Sequence, residues 1–264
     1  MQKPKEAFGE DTPELAAFYV AAWKIAPGAE TLMGIINDLQ DPETLYYDWD
    51  YPDGFQTHYL VKDTLEKRIH VDTLDHEPTF AYRYKVNTPL EEIRFLPSGI
   101  VHGIDGYIVR ELTARCNYDI GKLRSAEIEL KRRLKHDLLP AQENYTYLEK
   151  MWHKHQCLSI EGVEFVSWQT THLLSNEYCS ALLKLVQATL KKPSFEVVTI
   201  HDCFKCLPNY MNHIRQTYID ILAELADSNI LNAILSDIAG KPINISKMSE
   251  NLSELIRSSE YAIS

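Results

Sequence analysis

Apolar side chains recur at helical spacing from Leu15 onward: Leu15, Phe18, Tyr19, Ala22 and Trp23 share one face, and Leu32, Ile35, Ile36 and Leu39 resume it after Pro27-Gly28. Thr12-Pro13-Glu14 supplies a cap, a proline at the first helical position and an acidic first turn. A helix kinked at Pro27-Gly28 is predicted, with the Trp23 face in the core. The period then changes. Leu45-Tyr-Tyr-Asp-Trp49 reads as a strand running into the turn Tyr51-Pro52-Asp53-Gly54-Phe55. Two extended stretches, around 56–61 and 79–86, flank a charged middle, Lys62 to Arg68. Tyr82-Arg83-Tyr84-Lys85-Val86 alternates strictly, as a strand does with one face packed and the other open to solvent or a ligand.

Pro97-Ser98-Gly99-Ile100-Val101-His102-Gly103-Ile104-Asp105-Gly106 carries three glycines, which permit a sharp turn or a close approach to a ligand. If a helix begins here, His102 and Asp105 lie one turn apart. The helix continues from Tyr107 to Cys116 on Ile108, Leu112 and Arg115. Lys122 to Lys135 mixes both charges around a stripe of Leu123, Ile128, Leu130 and Leu134, which predicts a solvated helix protruding from the body. Strand alternation would put His153, His155 and Cys157 on one face, although no carboxylate lies nearby in sequence to complete a metal site. Tyr178 to Leu190 is an amphipathic helix that feeds Phe195-Glu-Val-Val-Thr-Ile200-His201-Asp202-Cys203-Phe204-Lys-Cys206-Leu-Pro208. That run predicts strand, tight turn, strand, with His201 and Asp202 at the tip of a hairpin whose first strand is buried. Helices from Tyr210 to Ala226 and Ile230 to Ile238 follow, then a tail from Pro242 to Ser264.

The composition is that of an ordinary soluble globular chain of 264 residues, 45% hydrophobic and 25% charged. No apolar run reaches membrane-spanning length, and Met1-Gln-Lys-Pro-Lys leads into no signal-peptide core, so a cytoplasmic protein with no membrane partner is expected. Five cysteines at irregular spacing argue for a reducing compartment, and Cys203-x-x-Cys206 reads as two packed thiols. A net charge of −11 argues against this chain wrapping a nucleic acid alone; local basic patches or a more basic partner would be required. A carboxylate at the end of a strand, as at Asp202, suits Mg²⁺, which takes few protein oxygens and keeps room for substrate oxygens.

Three landmarks stand in order: Trp49-x-Tyr-Pro-Asp53-Gly-Phe55, then Pro97-x-x-x-Val101-His102-x-x-Asp105-Gly106, then Ile200-His201-Asp202-Cys203-Phe204. The series resembles the C-terminal portion of the bacteriophage and mitochondrial single-subunit DNA-directed RNA polymerases. That family shows a Trp-x-x-Pro-Asp-Gly-Phe strand end, an Asn-Phe-Val-His-Ser-x-Asp segment opening a helix, and His-Asp-(Ser or Cys)-Phe at the palm hairpin. The distance from Asp202 to the end of the sequence and the closing Glu260-Tyr-Ala-Ile-Ser264 also look like the family's short tail.

The resemblance implies an α+β palm-and-fingers fragment, mostly helical, with an antiparallel palm hairpin and a second β-hairpin region. Residues 1–55 would lead to the Pro-Asp-Gly-Phe turn and 56–97 would take the place of the promoter-specificity hairpin, with Arg83 and Lys85 as candidate DNA contacts. Residues 98–116 and 171–264 would build palm and fingers around an insertion at 117–170. Asp202 matches the second metal-binding aspartate, and His201 its neighbour, packing the hairpin or touching the RNA end. His102 and Asp105 match the segment lining the product helix near the newest base pair. The implied cofactor is Mg²⁺, and the implied partners are DNA template, RNA product and ribonucleoside triphosphates in the cytoplasm of an infected bacterium.

The family also needs a first metal-binding aspartate and a fingers helix that ends in Tyr-Gly. This sequence contains no Tyr-Gly, and the 52 residues before Asp53 leave no room for those parts. One subunit of a polymerase split over two polypeptides, inactive alone, is therefore the expectation. The alternatives are a DNA polymerase of related palm fold, and a non-catalytic accessory that binds DNA or a polymerase.

Overall fold

The structure, a computed structural model, describes residues 4–71, 78–89, 96–136, 146–200 and 203–259. The closing Glu260 to Ser264 lies outside the described residues, as do His201 and Asp202. The chain opens with helices α1 (Pro4–Phe8), α2 (Pro13–Ile25) and α3 (Pro27–Asp38), then strands β1 (Tyr46–Asp50), β2 (Gln56–Leu60), β3 (Lys62–His70) and β4 (Thr79–Pro89). Helices α4 (Leu96–Cys116), α5 (Ile120–Lys135), α6 (Tyr147–His155) and α7 (Asn176–Leu190) form the middle. Strands β5 (Val198–Ile200) and β6 (Cys203–Lys205) precede α8 (Met211–Asp227), α9 (Ile230–Ala239) and α10 (Leu252–Ser258). The described strands make three separate antiparallel pairs, β1 with β2, β3 with β4 and β5 with β6, so the class is mixed α+β and predominantly helical. Among the described residues no helix is long and apolar enough to cross a membrane.

Helix α4 is the axis of the molecule. Its 21 residues span about 30 Å and join two of the three apolar clusters. Its first half, Leu96, Ile100 and Tyr107, packs with Ile36 of α3, with Tyr47 and Trp49 of β1, and with Ile234 and Leu235 of α9. Its second half, Ile108, Leu112 and Cys116, packs with Phe195, Val197 and Ile214 and Ile221 of α8. The third cluster joins Leu123, Ala126 and Leu130 of α5 to Tyr178, Leu182 and Val186 of α7.

The glycines of the second landmark are not a loop. They lie inside α4, which starts at Leu96, and two of them make room for the β1–β2 unit. A Cβ at Gly103 would meet the Tyr51 hydroxyl at 1.7 Å, and one at Gly99 the Tyr59 ring at 2.7 Å. Any side chain there would push strand and helix apart.

Several expectations are corrected. The kink at Pro27 is a break, because proline has no amide hydrogen to continue the ladder of α2. The Trp23 face is not core: within α2 only Leu15 is buried, and Trp23 is 48% exposed. The charged stretch Lys62 to Arg68 is itself strand β3, paired along its length with β4 and carrying a bulge between Lys62 and Thr64. Both faces of that pair are exposed, so the alternation of Tyr82 to Val86 has no packed side, and Tyr82 and Tyr84 stack on each other in the open at 5.6 Å.

Residues 120–135 do not protrude. Helix α5 lies along α7 and buries Leu123, Ala126, Leu130 and Arg133, whose guanidinium donates to the carbonyls of Thr171 and Leu174 at 3.2 Å each. Residues 147–155 are helical, which puts His153 and His155 on different sides instead of one strand face. Strand β5, expected to be buried, is exposed, with Val198 at 50% and Ile200 at 48%; burial stops at Val197.

Candidate functional site along helix α4

The first landmark folds as a tight turn docked on α4. Tyr51 N–H donates to the Phe55 carbonyl at 3.0 Å, Gly54 N–H to the Tyr51 carbonyl at 2.8 Å, and Gly54 takes a φ of +80° that favours glycine. Asp53 accepts from Phe55 N–H at 3.2 Å and from Arg110 of α4, through Nε at 2.5 Å and Nη2 at 3.2 Å. The Arg110 guanidinium also lies over the Phe55 ring, 4.1 Å from its centre. A fork of two donors onto one carboxylate, stacked on an aromatic face, fixes both angle and distance of the turn. Beneath it Trp49 Nε1 donates to the Tyr51 hydroxyl at 2.6 Å, and the Tyr51 and Tyr107 rings stack at 6.5 Å. Burial pushes the Tyr51 hydroxyl above the ordinary tyrosine range, against the pull of the Trp49 hydrogen bond, so it is neutral at physiological pH.

Small-ligand sites are clefts of roughly 300–1,000 Å³, and one of 630 Å³ opens between this turn and α4, lined by Asp53, Phe55, Arg110, Thr113, Asn117 and Glu161. Burial, with the nearby carboxylates of Glu111, Glu164 and Asp53, raises the Glu161 pKa. His102 and Asp105 are exposed on α4, and the helical period places them on the same side as Val109 and Thr113 of this cleft. The first two landmarks therefore meet on one helix.

The third is tied to the other end of it. Phe195 N–H donates to the Cys116 carbonyl at 2.8 Å, Tyr118 Oη to the Lys192 carbonyl at 2.6 Å, and Ser194 Oγ to the Tyr118 carbonyl at 2.7 Å. Phe195 stacks on Tyr210 at 4.5 Å, and Phe204 packs edge-on to Tyr218 against the cluster of Ile108 and Leu112. Ile200 and Cys203 are paired across β5 and β6, and His201 and Asp202 are the two residues between them in sequence.

An ionic triad, two of its members buried and the third half-buried, holds this frame. Arg115 donates Nε to Glu111 at 2.7 Å, and Nη1 and Nη2 to Glu224 of α8 at 2.9 and 2.6 Å. Glu111 also accepts from Ser159 Oγ at 2.5 Å and Ile160 N–H at 2.9 Å. Burial works against the Arg115 charge, but the two carboxylates overcome it and hold the guanidinium well above its ordinary pKa. Every charged partner is satisfied, so the triad is structural and not a proton donor. The buried thiols are likewise inert: burial pushes Cys116 and Cys179 up to about 11 and Cys157 up to about 12.

Arg83 and Lys85 alternate with Tyr82 and Tyr84, so they face the opposite side of β4, and Arg83 Nε pairs with Glu66 of β3 at 3.1 Å. Strands β3 and β4 pack chiefly on each other. Arg110, the residue that locks the turn, was not singled out from sequence; its signal was the spacing of eight residues from His102, which keeps it on the cleft side of the helix. Also missed was the Asp50 network, in which Asp50 accepts from Lys154 Nζ at 2.7 Å and His155 Nε2 at 2.9 Å while Lys154 Nζ also donates to Asp237 at 2.6 Å. Among the described residues no three His, Cys, Asp or Glu side chains gather where they could hold a metal ion. No protein-family model matches this chain, and no curated protein matches it in sequence.

Proposed function

We propose that this chain is the C-terminal subunit of a split DNA-directed RNA polymerase of the single-subunit type, contributing one palm carboxylate, the product-facing helix and the hairpin that joins them. The observation that carries the proposal is the convergence of the three landmarks on α4: the Asp53 turn is clamped by Arg110, His102 and Asp105 stand on the open side of the same helix, and the β5–β6 root is tied to its last turn. Landmarks 40 to 100 residues apart in sequence thus share one rigid support.

In this reading Asp202 is one oxygen ligand for Mg²⁺, and a carboxylate of the second subunit supplies the other. A single carboxylate suits an ion that prefers to keep substrate and water oxygens. A metal pair held there, with Asp202 as one ligand, would supply activation of the RNA 3′-hydroxyl and stabilisation of the pyrophosphate leaving group. The chain's own residues position the nucleic acid. His102, on an exposed helical face, offers an imidazole donor to the acceptors that every base pair presents in the minor groove. Arg110 and Asp53 neutralise each other, and the stacked guanidinium keeps Phe55 in place as an apolar wall of the cleft.

The test is reconstitution of the chain with a second chain that carries the missing aspartate and Tyr-Gly helix, on DNA with Mg²⁺ and ribonucleotides. Template-dependent RNA synthesis is expected from the pair and from neither chain alone. Asp202→Ala should lower it by at least about a hundredfold, the scale of losing a group that stabilises transition-state charge. Synthesis unchanged by Asp202→Ala would refute the assignment, and incorporation of deoxyribonucleotides in preference to ribonucleotides would turn it into a DNA polymerase.

A further inference from the structure

Helix α2 breaks the rule that surface helices are amphipathic. Its sequence, Pro-Glu-Leu-Ala-Ala-Phe-Tyr-Val-Ala-Ala-Trp-Lys-Ile, holds two charged residues, Glu14 and Lys24, and is apolar all the way round. A helix of that kind belongs in an interior. Here Leu15 alone is buried, while Phe18, Val20, Trp23 and Ile25 are exposed, Ile25 at 85%. Phe8, Phe18, Tyr19 and Trp23 form a run of ring contacts at 5.7 to 6.2 Å along the surface. Contiguous exposed aromatic surface of this sort marks a contact for another protein.

The charge around the helix says which kind. Between Lys5 and Glu30 the charged residues, all exposed, are Glu6, Glu10, Asp11, Glu14 and Glu30 against Lys5 and Lys24. The whole chain carries −11, so two copies laid face to face would oppose acid to acid. A polymerase must also hold polyanionic template and product, and the positive charge this chain lacks has to come from the other subunit.

We infer that the exposed face of α2 is the docking surface for the second polymerase subunit, which meets it with an apolar surface rimmed by lysine and arginine. This inference rests on the reading of the chain as a split polymerase. Large aromatic side chains at the centre of such a contact dominate its energy, so Trp23 and Phe18 are its anchors.

The test measures affinity between the purified chain and the second chain that restores transcription in the reconstitution above. Trp23→Glu and Ile25→Glu are each expected to weaken the pair at least tenfold, with Ile128→Glu on α5, also an exposed position, leaving it unchanged. Circular dichroism and melting of the Ile25→Glu variant should match the parent, since Ile25 is almost wholly in solvent. Sedimentation of the chain alone should give a monomer; a dimer abolished by Ile25→Glu would assign the face to a second copy and overturn the inference. A transcribing pair whose affinity neither variant changes would overturn the interface and leave the polymerase reading standing. If no second chain restores transcription, both fall together.

Discussion

At the scale of single residues, the least negotiable contacts are charged groups that serve as scaffold. Asp50 shows how. Burial works against its charge, but hydrogen bonds from His155 and Lys154 hold its carboxyl below the ordinary value of 3.8. A depressed carboxylate contributes stability that is complete above its unfolded pKa and disappears as pH falls through the lower folded one. Lys154 is shifted the other way: burial opposes its charge, Asp237 and Asp50 outweigh that, and its contribution persists up to its ordinary 10.5 and is lost above. Asp50→Asn is therefore expected to cost about 1–3 kcal/mol at pH 7, in a gap from the parent that closes as pH drops below about 4. Denaturant midpoints for both proteins at pH 7 and pH 3 read this directly; a gap of constant size would contradict the assignment. Nothing in the local sequence of Asp50 announced this role, because its partners sit more than a hundred residues downstream.

Elements were legible where their periodicity answers to the chain's own core, and misleading where it does not. The amphipathic helix from Tyr178 to Leu190 was legible because α7 buries Leu182 and Val186 inside this molecule. The apolar pattern of α2 was read as core for the same reason, and it is exposed because nothing among the described residues covers it. The charged pattern of α5 was read as a solvated projection because lysine and arginine outnumber leucine there, yet Arg133 enters the interior by bonding to carbonyls. The glycines of α4 needed three dimensions. Only the position of Tyr51 shows that Gly103 is a seat for an aromatic ring and Gly34 is not, since a Cβ at Gly34 would meet nothing within 4 Å. Gly103→Ala should lose about 1–3 kcal/mol by forcing β1 off α4, whereas Gly34→Ala should gain about 0.5–1 kcal/mol from helix propensity. Thermal melting of the two variants, shifted in opposite directions, checks the packing of strand on helix.

For the molecule as a whole, the order of the landmarks along the chain was visible in sequence and their convergence on one helix was not. That convergence depends on the Asp53–Arg110 pair and the Phe195–Cys116 hydrogen bond, each joining residues more than fifty positions apart. The segment 117–170 was expected to be a helical insertion, with Lys122 to Lys135 protruding from the body. Instead Ser159 and Ile160 bond to Glu111 of α4, and α5 with α7 builds a full apolar cluster, so the segment is part of the frame. Leu130→Ala, at a position with no exposure, should cost about 2–5 kcal/mol, measured by chemical denaturation. A loss under about 0.5 kcal/mol would restore the picture of a detachable segment.

The bare flank of α2 carries a further consequence for life inside a cell. If a second subunit covers α2 as proposed, a chain made in excess of it would present an oily, aromatic rod, the signal that chaperones hold and proteases clear, and surplus copies would be removed until the pool matched the scarcer polypeptide.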